Sequence, residues 1–171
     1  MALVDSERTG HTPGLRAALA RHALLPLRLF LGATFVYAGL DKLTDPQFFA
    51  DGGAGSLARM LDGVQQTAGA GWMVDLAQHD PGAFGYAVAA GEIAVGLGTL
   101  VGLWARLAAL GGAMLSLTFW LTVSWASDPY YYGNDLAYLM AWTPLVLAGA
   151  PRLSLDALLT ARRRRGRRIF V

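Results

Sequence analysis

The run from Leu24 to Leu43, L-L-P-L-R-L-F-L-G-A-T-F-V-Y-A-G-L-D-K-L, constrains this chain more than any other stretch. It is apolar for about the 20 residues a helix needs to cross a bilayer core. It nevertheless carries Arg28 in its first half and Asp41-Lys42 at its end. On a helix, Arg28, Gly32, Phe35, Gly39 and Lys42 fall on one face. A simple anchor has no use for small residues strung between two cations. The stripe predicts a face that points into a bundle, with the remaining segments completing it.

Composition agrees with a membrane protein. The 171 residues are 54% hydrophobic and only 15% charged, where a soluble domain has about a quarter of its residues charged. At about 20 residues per span there is room for about four crossings and tails, and no second soluble domain fits. Cysteine is absent. The chain therefore holds no disulfide, no thiol-exchange centre and no thiolate-bound iron–sulfur cluster. His11, His22 and His79 all lie outside the apolar runs, so a haem held by two histidines within the bilayer is not available to it. Any electrons in its chemistry belong to a partner or to a bound small molecule.

Residues 1–23 read as a polar tail and a surface helix from about Leu15. Pro26 and Arg28 argue against a cleavable leader. Residues 44–81 form a long polar interruption, with Asp45, Asp51, Asp62, Asp75 and Asp80 against Arg59 alone. Asp45-Pro46 should end the first helix. Leu57, Met60, Leu61 and Val64 recur at helical spacing, so one or two short helices are expected on the membrane surface, with Trp72 at headgroup level. A second span from about Ala83 to Trp104 carries Glu92 near its middle. Its Gly85, Ala89, Glu92, Gly96 and Thr99 share a face that lets another helix approach closely. A third span, about Leu107 to Ala126, follows a short turn around Arg106. The fourth runs from about Asn134 to Ala150, with Pro144 inside and Pro151 after it.

The arginines set the topology. The amino-terminal tail, the Arg106 turn and the Arg162–Arg168 run are basic, and the loops at 44–81 and 127–135 are acidic. Four crossings place all the basic parts on one side, which the positive-inside rule makes cytoplasmic. The arginine run reads as a retention signal and an anionic-lipid contact rather than a nucleic-acid site, since nothing else in the chain reads bases. The expected fold is all-α, an integral membrane four-helix bundle with both termini cytoplasmic. Residues 1–23 form its tail and surface helix, 24–151 the bundle with outer loop 44–81, and 152–171 a basic tail.

Ionisable groups near or within the spans are Arg28, Asp41, Lys42, Glu92 and Asp135. Each is costly in hydrocarbon and should have a partner. Depth counted from the span ends predicts an inner pair, Arg28 with Glu92, and an outer pair, Lys42 with Asp135 or Asp41. Such pairs serve equally to fix helix register or to line a polar pocket for a quinone headgroup or small anion. Tyr37, Trp120, Tyr138 and Trp142 are the aromatic residues that would line it. Arg28, Lys42, Glu92, Asp135 and Tyr37 are the candidate site. No metal cluster, nucleophile–base pair or phosphate loop appears, and no catalytic residue is assigned.

Leu27-Arg28-Leu29-Phe30-Leu31-Gly32 and Phe35-Val36-Tyr37-Ala38-Gly39-Leu40-Asp41-Lys42-Leu43 resemble the opening helix of the DoxX family. Gly91-Glu92 with Gly96 to Gly102 and Trp104-Ala105-Arg106, then Asn134-Asp135 and Ser154-Leu155-Asp156, are similar to its later signatures. The resemblance covers nearly the whole chain after residue 23. It implies a four-helix protein of the cytoplasmic membrane. The family includes the small membrane subunit (DoxD) of thiosulfate:quinone oxidoreductase. It also includes mycobacterial proteins that associate with a sulfurtransferase and a superoxide dismutase, and this chain looks like a high-GC actinobacterial member. The implied role is the membrane subunit of a redox or respiratory assembly, linked to the quinone pool through partner proteins, with a quinone as candidate ligand. The alternative is a non-catalytic accessory or scaffold subunit docked on a larger respiratory complex. A transporter is disfavoured, because four spans without inverted repeats make a poor alternating-access machine.

Overall fold

A computed structural model describes residues 22–150, 153–156 and 159 of the chain. The surface helix expected from Leu15 and the Arg162–Arg168 run lie outside them. Regular structure among the described residues is helical: α1 (Leu25–Thr44), α2 (Leu57–Val64), α3 (Gly71–His79), α4 (Pro81–Val101), α5 (Ala105–Thr122), a 3₁₀ turn at Tyr130–Tyr132, and α6 (Asn134–Ala148).

The helix ends follow from local chemistry. Thr44 is the last residue of α1 because Asp45, followed by Pro46, takes extended backbone at ψ 108°. The Asp80 side chain accepts the N–H of Ala83 at 2.9 Å and Pro81 opens α4, an N-cap followed by proline at the first helical position. Gly102, at φ 69°, closes α4 in the left-handed conformation that a residue with a side chain rarely adopts. The reversal into α5 is made by Gly102 and Trp104 (φ 48°), so Arg106 sits in the first turn of α5 rather than in the turn itself.

The four long helices touch in a cycle: α1 on α4, α4 on α5, α5 on α6, and α6 back on α1. The α1–α4 contact is the most intimate. A Cβ added to Gly39 would lie 2.6 Å from the Ala89 carbonyl, and one on Gly96 would lie 2.7 Å from both Gly32 O and Val36 N. Both stripes read from the sequence are buried here: Arg28, Gly32, Phe35 and Gly39 on α1, and Gly85, Ala89, Glu92, Gly96 and Thr99 on α4. Leu31, Phe35, Ala109, Trp142 and Leu145 form the central core. There Phe35 meets Trp142 edge to face at 5.0 Å, an arrangement favoured by the ring quadrupoles.

α2 and α3 form a hairpin with its own small core of Leu57, Leu61, Val74 and Ala77, laid against α4 and α5. This accounts for the helical spacing seen in 57–64, and two short helices replace the expected one or two. Their apolar residues cover each other and the long helices as well as facing outward.

By length and composition, α4 and α5 qualify as membrane spans. α1 has the length, at 20 residues, but carries Arg28, Asp41 and Lys42. α6 is 15 residues, about 22 Å of helix against a bilayer core of about 30 Å.

The segment after α6 returns to the α4–α5 turn. The Asp156 carboxylate accepts the N–H groups of Trp104 and Ala105, each at 3.0 Å. It thereby caps α5 from 51 positions away in sequence and sets a negative charge at the positive end of the helix. Asp156→Ala is expected to cost about 1–2 kcal/mol. Thermal melting in detergent, followed by helical circular dichroism, reads this; an unchanged melt would show that the cap contributes nothing.

Candidate functional site

The charged residues of the two stripes meet in a way set by helix register. Gly39 packs on Ala89 and Glu92, and Gly32 on Gly96 and Leu100, so α1 and α4 run antiparallel with Glu92 beside Gly39. Lys42 lies one turn further along α1. Its Nζ is 2.9 Å from Glu92 Oε1, to which it donates, and 2.9 Å from Oε2. The Glu92 side chain is 3% exposed and that of Lys42 22%. Lys42 also donates to the Ala38 carbonyl at 3.4 Å and lies 6.0 Å from the centre of the Phe119 ring, at the outer limit of cation–π range.

This corrects the expected inner pair and adds Glu92 to the outer one. Glu92 is held by Lys42, not by Arg28. Arg28 is eleven residues before Gly39, about 16 Å along the axis, and an arginine does not span that distance. Depth counted from span ends does not locate Glu92, because the glycine contacts fix a different offset between the helices. Arg28 instead works at the opposite end of the seam. Its guanidinium donates to the carbonyls of Leu153 at 2.6 Å and Leu100 at 3.3 Å, joining α1, the last turn of α4 and the segment after α6.

Asp135, in the first turn of α6, accepts a hydrogen bond from the Ser124 hydroxyl. It lies close enough to Lys42 and Glu92 for their charges to interact. The outer cluster is thus two carboxylates around one ammonium, with Ser124 holding the second carboxylate. Asp41 is exposed. Tyr37 is 70% exposed. Trp142 is fully buried in the core, and Tyr138 packs edge-on to Phe35.

Beside the ion pair is a cavity of about 100 Å³, comparable with the roughly 150 Å³ apolar cavity that takes up benzene. It lies between the α2–α3 hairpin and the long helices, lined by Leu57, Leu61, Ala77, Phe84, Val88 and Phe119 among others, and among the described residues Lys42 is the one charged residue in its wall. Met60, Trp72 and Leu76, which also line it, are exposed at its rim. An apolar chamber with an apolar rim and one cation suits a ring-shaped, lipid-soluble molecule bearing a hydrogen-bond acceptor.

Several of these residues escape sequence reading. Ser124 gives no signal, being one of many polar loop residues. Phe119 is one aromatic among several in α5. The α2 and α3 lining residues carry a visible amphipathic pattern, but that pattern does not say whether its apolar face meets lipid or a neighbouring helix.

No curated protein and no solved structure matches the chain. The family model for DoxX matches residues 23–125, from the start of α1 through the whole of the α1–α4 seam, the hairpin and α5. The residues that build the Lys42–Glu92 pair and its cavity all fall within that match, and the chain belongs to the DoxX family.

Proposed function

We propose that the chain is a four-span bundle of the cytoplasmic membrane with both termini cytoplasmic, and that it is the membrane subunit of a redox assembly. In this reading it meets the quinone pool at the cavity beside Lys42 and Glu92 and receives its electrons through partner proteins. The observation that carries the reading is the lysine of the Lys42–Glu92 pair standing in the wall of an otherwise apolar chamber. A quinone carbonyl is a neutral acceptor that a lysine ammonium hydrogen-bonds, while the ring and isoprenoid tail match the apolar lining and rim. Two-electron reduction of a quinone also takes up two protons, and this reading gives the task of passing them to Glu92, paired with Lys42, and to Asp135 nearby. Arg28, at the other end of the seam, has no part in this site.

The test uses the native protein, extracted in mild detergent, with mass spectrometry of copurifying chains and of bound quinone. The reading expects a quinone and at least one redox partner in the wild type. It also expects Glu92→Gln to lose the quinone by about tenfold or more while still copurifying with the partner. A Glu92→Gln protein that keeps both quinone and quinone-linked activity would overturn it. Copurification with a respiratory complex and indifference to Glu92→Gln would favour the accessory, non-catalytic role instead.

A further inference from the structure

The inward faces of the four long helices change character at one level of the bundle. On α1, Lys42 is followed toward the start of the helix by Gly39, Phe35, Gly32 and Leu31. On α4, Glu92 is followed by Gly96, and on α6 Asp135 is followed by Trp142 and Leu145. On α5, Thr122 and Ser116 give way to Gly112, Ala109 and Ala105. The apolar members close on one another. A Cβ on Gly112 would lie 2.7 Å from Trp142 Cδ2, Phe35 meets the same indole at 5.0 Å, and Gly96 rests on the α1 backbone. A plug of Leu31, Phe35, Ala109, Trp142 and Leu145 therefore fills the interior between the acids and the Arg28 end.

Protons move through a protein by short hops between groups that both accept and donate, each within about 3 Å of the next. Two polar side-chain atoms toward the Arg28 end, Trp142 Nε1 and Thr99 Oγ1, are buried without a hydrogen-bond partner among the described residues. An indole N–H only donates, so Trp142 cannot take a proton and hand it on. Thr99 lies seven residues beyond Glu92, about 10 Å along α4, with the Gly96 contact between them. The Ser116 hydroxyl, also buried and unpartnered among the described residues, stands level with Glu92, because Gly91 faces Leu115. It widens the polar cluster, and Gly112 and Ala109 follow it on the same face. In the opposite direction the steps are short. Lys42 is 22% exposed, Ser124 donates to Asp135, and Asn134 beside that acid is exposed.

We propose that the Lys42–Glu92–Asp135 cluster is the closed end of a half-channel, exchanging protons with one aqueous phase only. That phase is the one at the start of α6, at the end of the bundle away from Arg106. In the four-span reading it is the outer one, so a proton taken up or released in the chamber is drawn from or delivered to the outside. The naming of the sides and the chemistry in the chamber rest on the proposed function. The one-sidedness rests on the plug alone.

The chain has no cysteine, so single cysteines in the full-length protein report access from either face of sealed vesicles. A charged, membrane-impermeant methanethiosulfonate is added to one side and, in a second sample, to the other. Ser124→Cys is expected to react about tenfold faster from the outer side, and Arg106→Cys, the control, about tenfold faster from the cytoplasmic side. Thr99→Cys should react from neither side until the protein is denatured. Wild-type protein in liposomes under an imposed membrane potential should pass protons no faster than protein-free liposomes do, a measurement that needs no variant to fold. Reaction of Thr99→Cys or Ser116→Cys from the Arg106 side would overturn the proposal. So would a proton leak through the wild type that Glu92→Gln removes. Neither measurement requires a quinone, so a one-sided result in a protein that binds none would sink the quinone reading and leave the half-channel standing.

Discussion

Gly96→Ala is expected to destabilise the protein, while Gly91→Ala, five residues earlier in the same helix, is expected to be neutral or stabilising. Both replacements gain the helix propensity of alanine over glycine, about 0.8–1.0 kcal/mol. They differ in what the new methyl meets. At Gly91 the nearest atom is a leucine methyl, Leu115 Cδ1, at 3.8 Å, an ordinary contact. At Gly96 the methyl would lie 2.7 Å from Gly32 O and 2.7 Å from Val36 N. Backbone atoms in the middle of α1 do not swing aside as a side-chain tip does, so the helices must separate. Overpacking of this kind costs about 1–3 kcal/mol, and in lipid the close fit is itself what drives helix association. Separation also carries Lys42 away from Glu92, since both sit on the seam that Gly39 and Gly96 close. Thermal melts of the two variants in one detergent check this. Equal melting temperatures would mean that the seam is loose.

The two faces of that seam are legible in the sequence because small residues at helical spacing in an apolar run have few uses besides letting another backbone in. Arg28, Gly32, Phe35 and Gly39 on α1, and Gly85 to Thr99 on α4, are therefore assigned to buried faces from spacing alone, and the structure buries them. Spacing names a face and leaves open the offset between two faces. That offset is decided by which glycine opposes which backbone atom, a property of the pair of helices and of neither sequence separately. Hence spacing pairs Glu92 with the wrong cation, although it names every ionisable member of the cluster and misses only Ser124. The apolar chamber is less legible still. Its walls come from α1, α2, α3, α4 and α5 together, and an amphipathic helix announces that it covers something without saying what. The return of the segment at 153–156 to cap α5 depends on a contact 51 residues apart, which no local pattern in Ser154-Leu155-Asp156 announces.

Lys42→Met is expected to be the most damaging single replacement at the candidate site, and Glu92→Gln a milder one. The asymmetry follows from burial. With Lys42 gone, a carboxylate whose side chain is 3% exposed loses its cation. Breaking a buried pair in this way costs about 3–5 kcal/mol. With Glu92 neutralised, Lys42 keeps the Ala38 carbonyl and is 22% exposed, so its ammonium can swing toward water on a flexible stem. Combining Lys42→Met with Glu92→Gln removes both charges, and replacing an ion pair by uncharged groups of similar size is often close to neutral. The double variant should therefore melt well above Lys42→Met alone, and the coupling between the two positions should be large. Near-additive effects would show that the pair contributes little. The same three proteins separate structure from function. If the ion pair only fixes register, the rescued double variant keeps whatever the wild type binds. If Lys42 and Glu92 recognise a quinone, the double variant is folded and empty, because methionine offers the ring no donor and glutamine passes no proton.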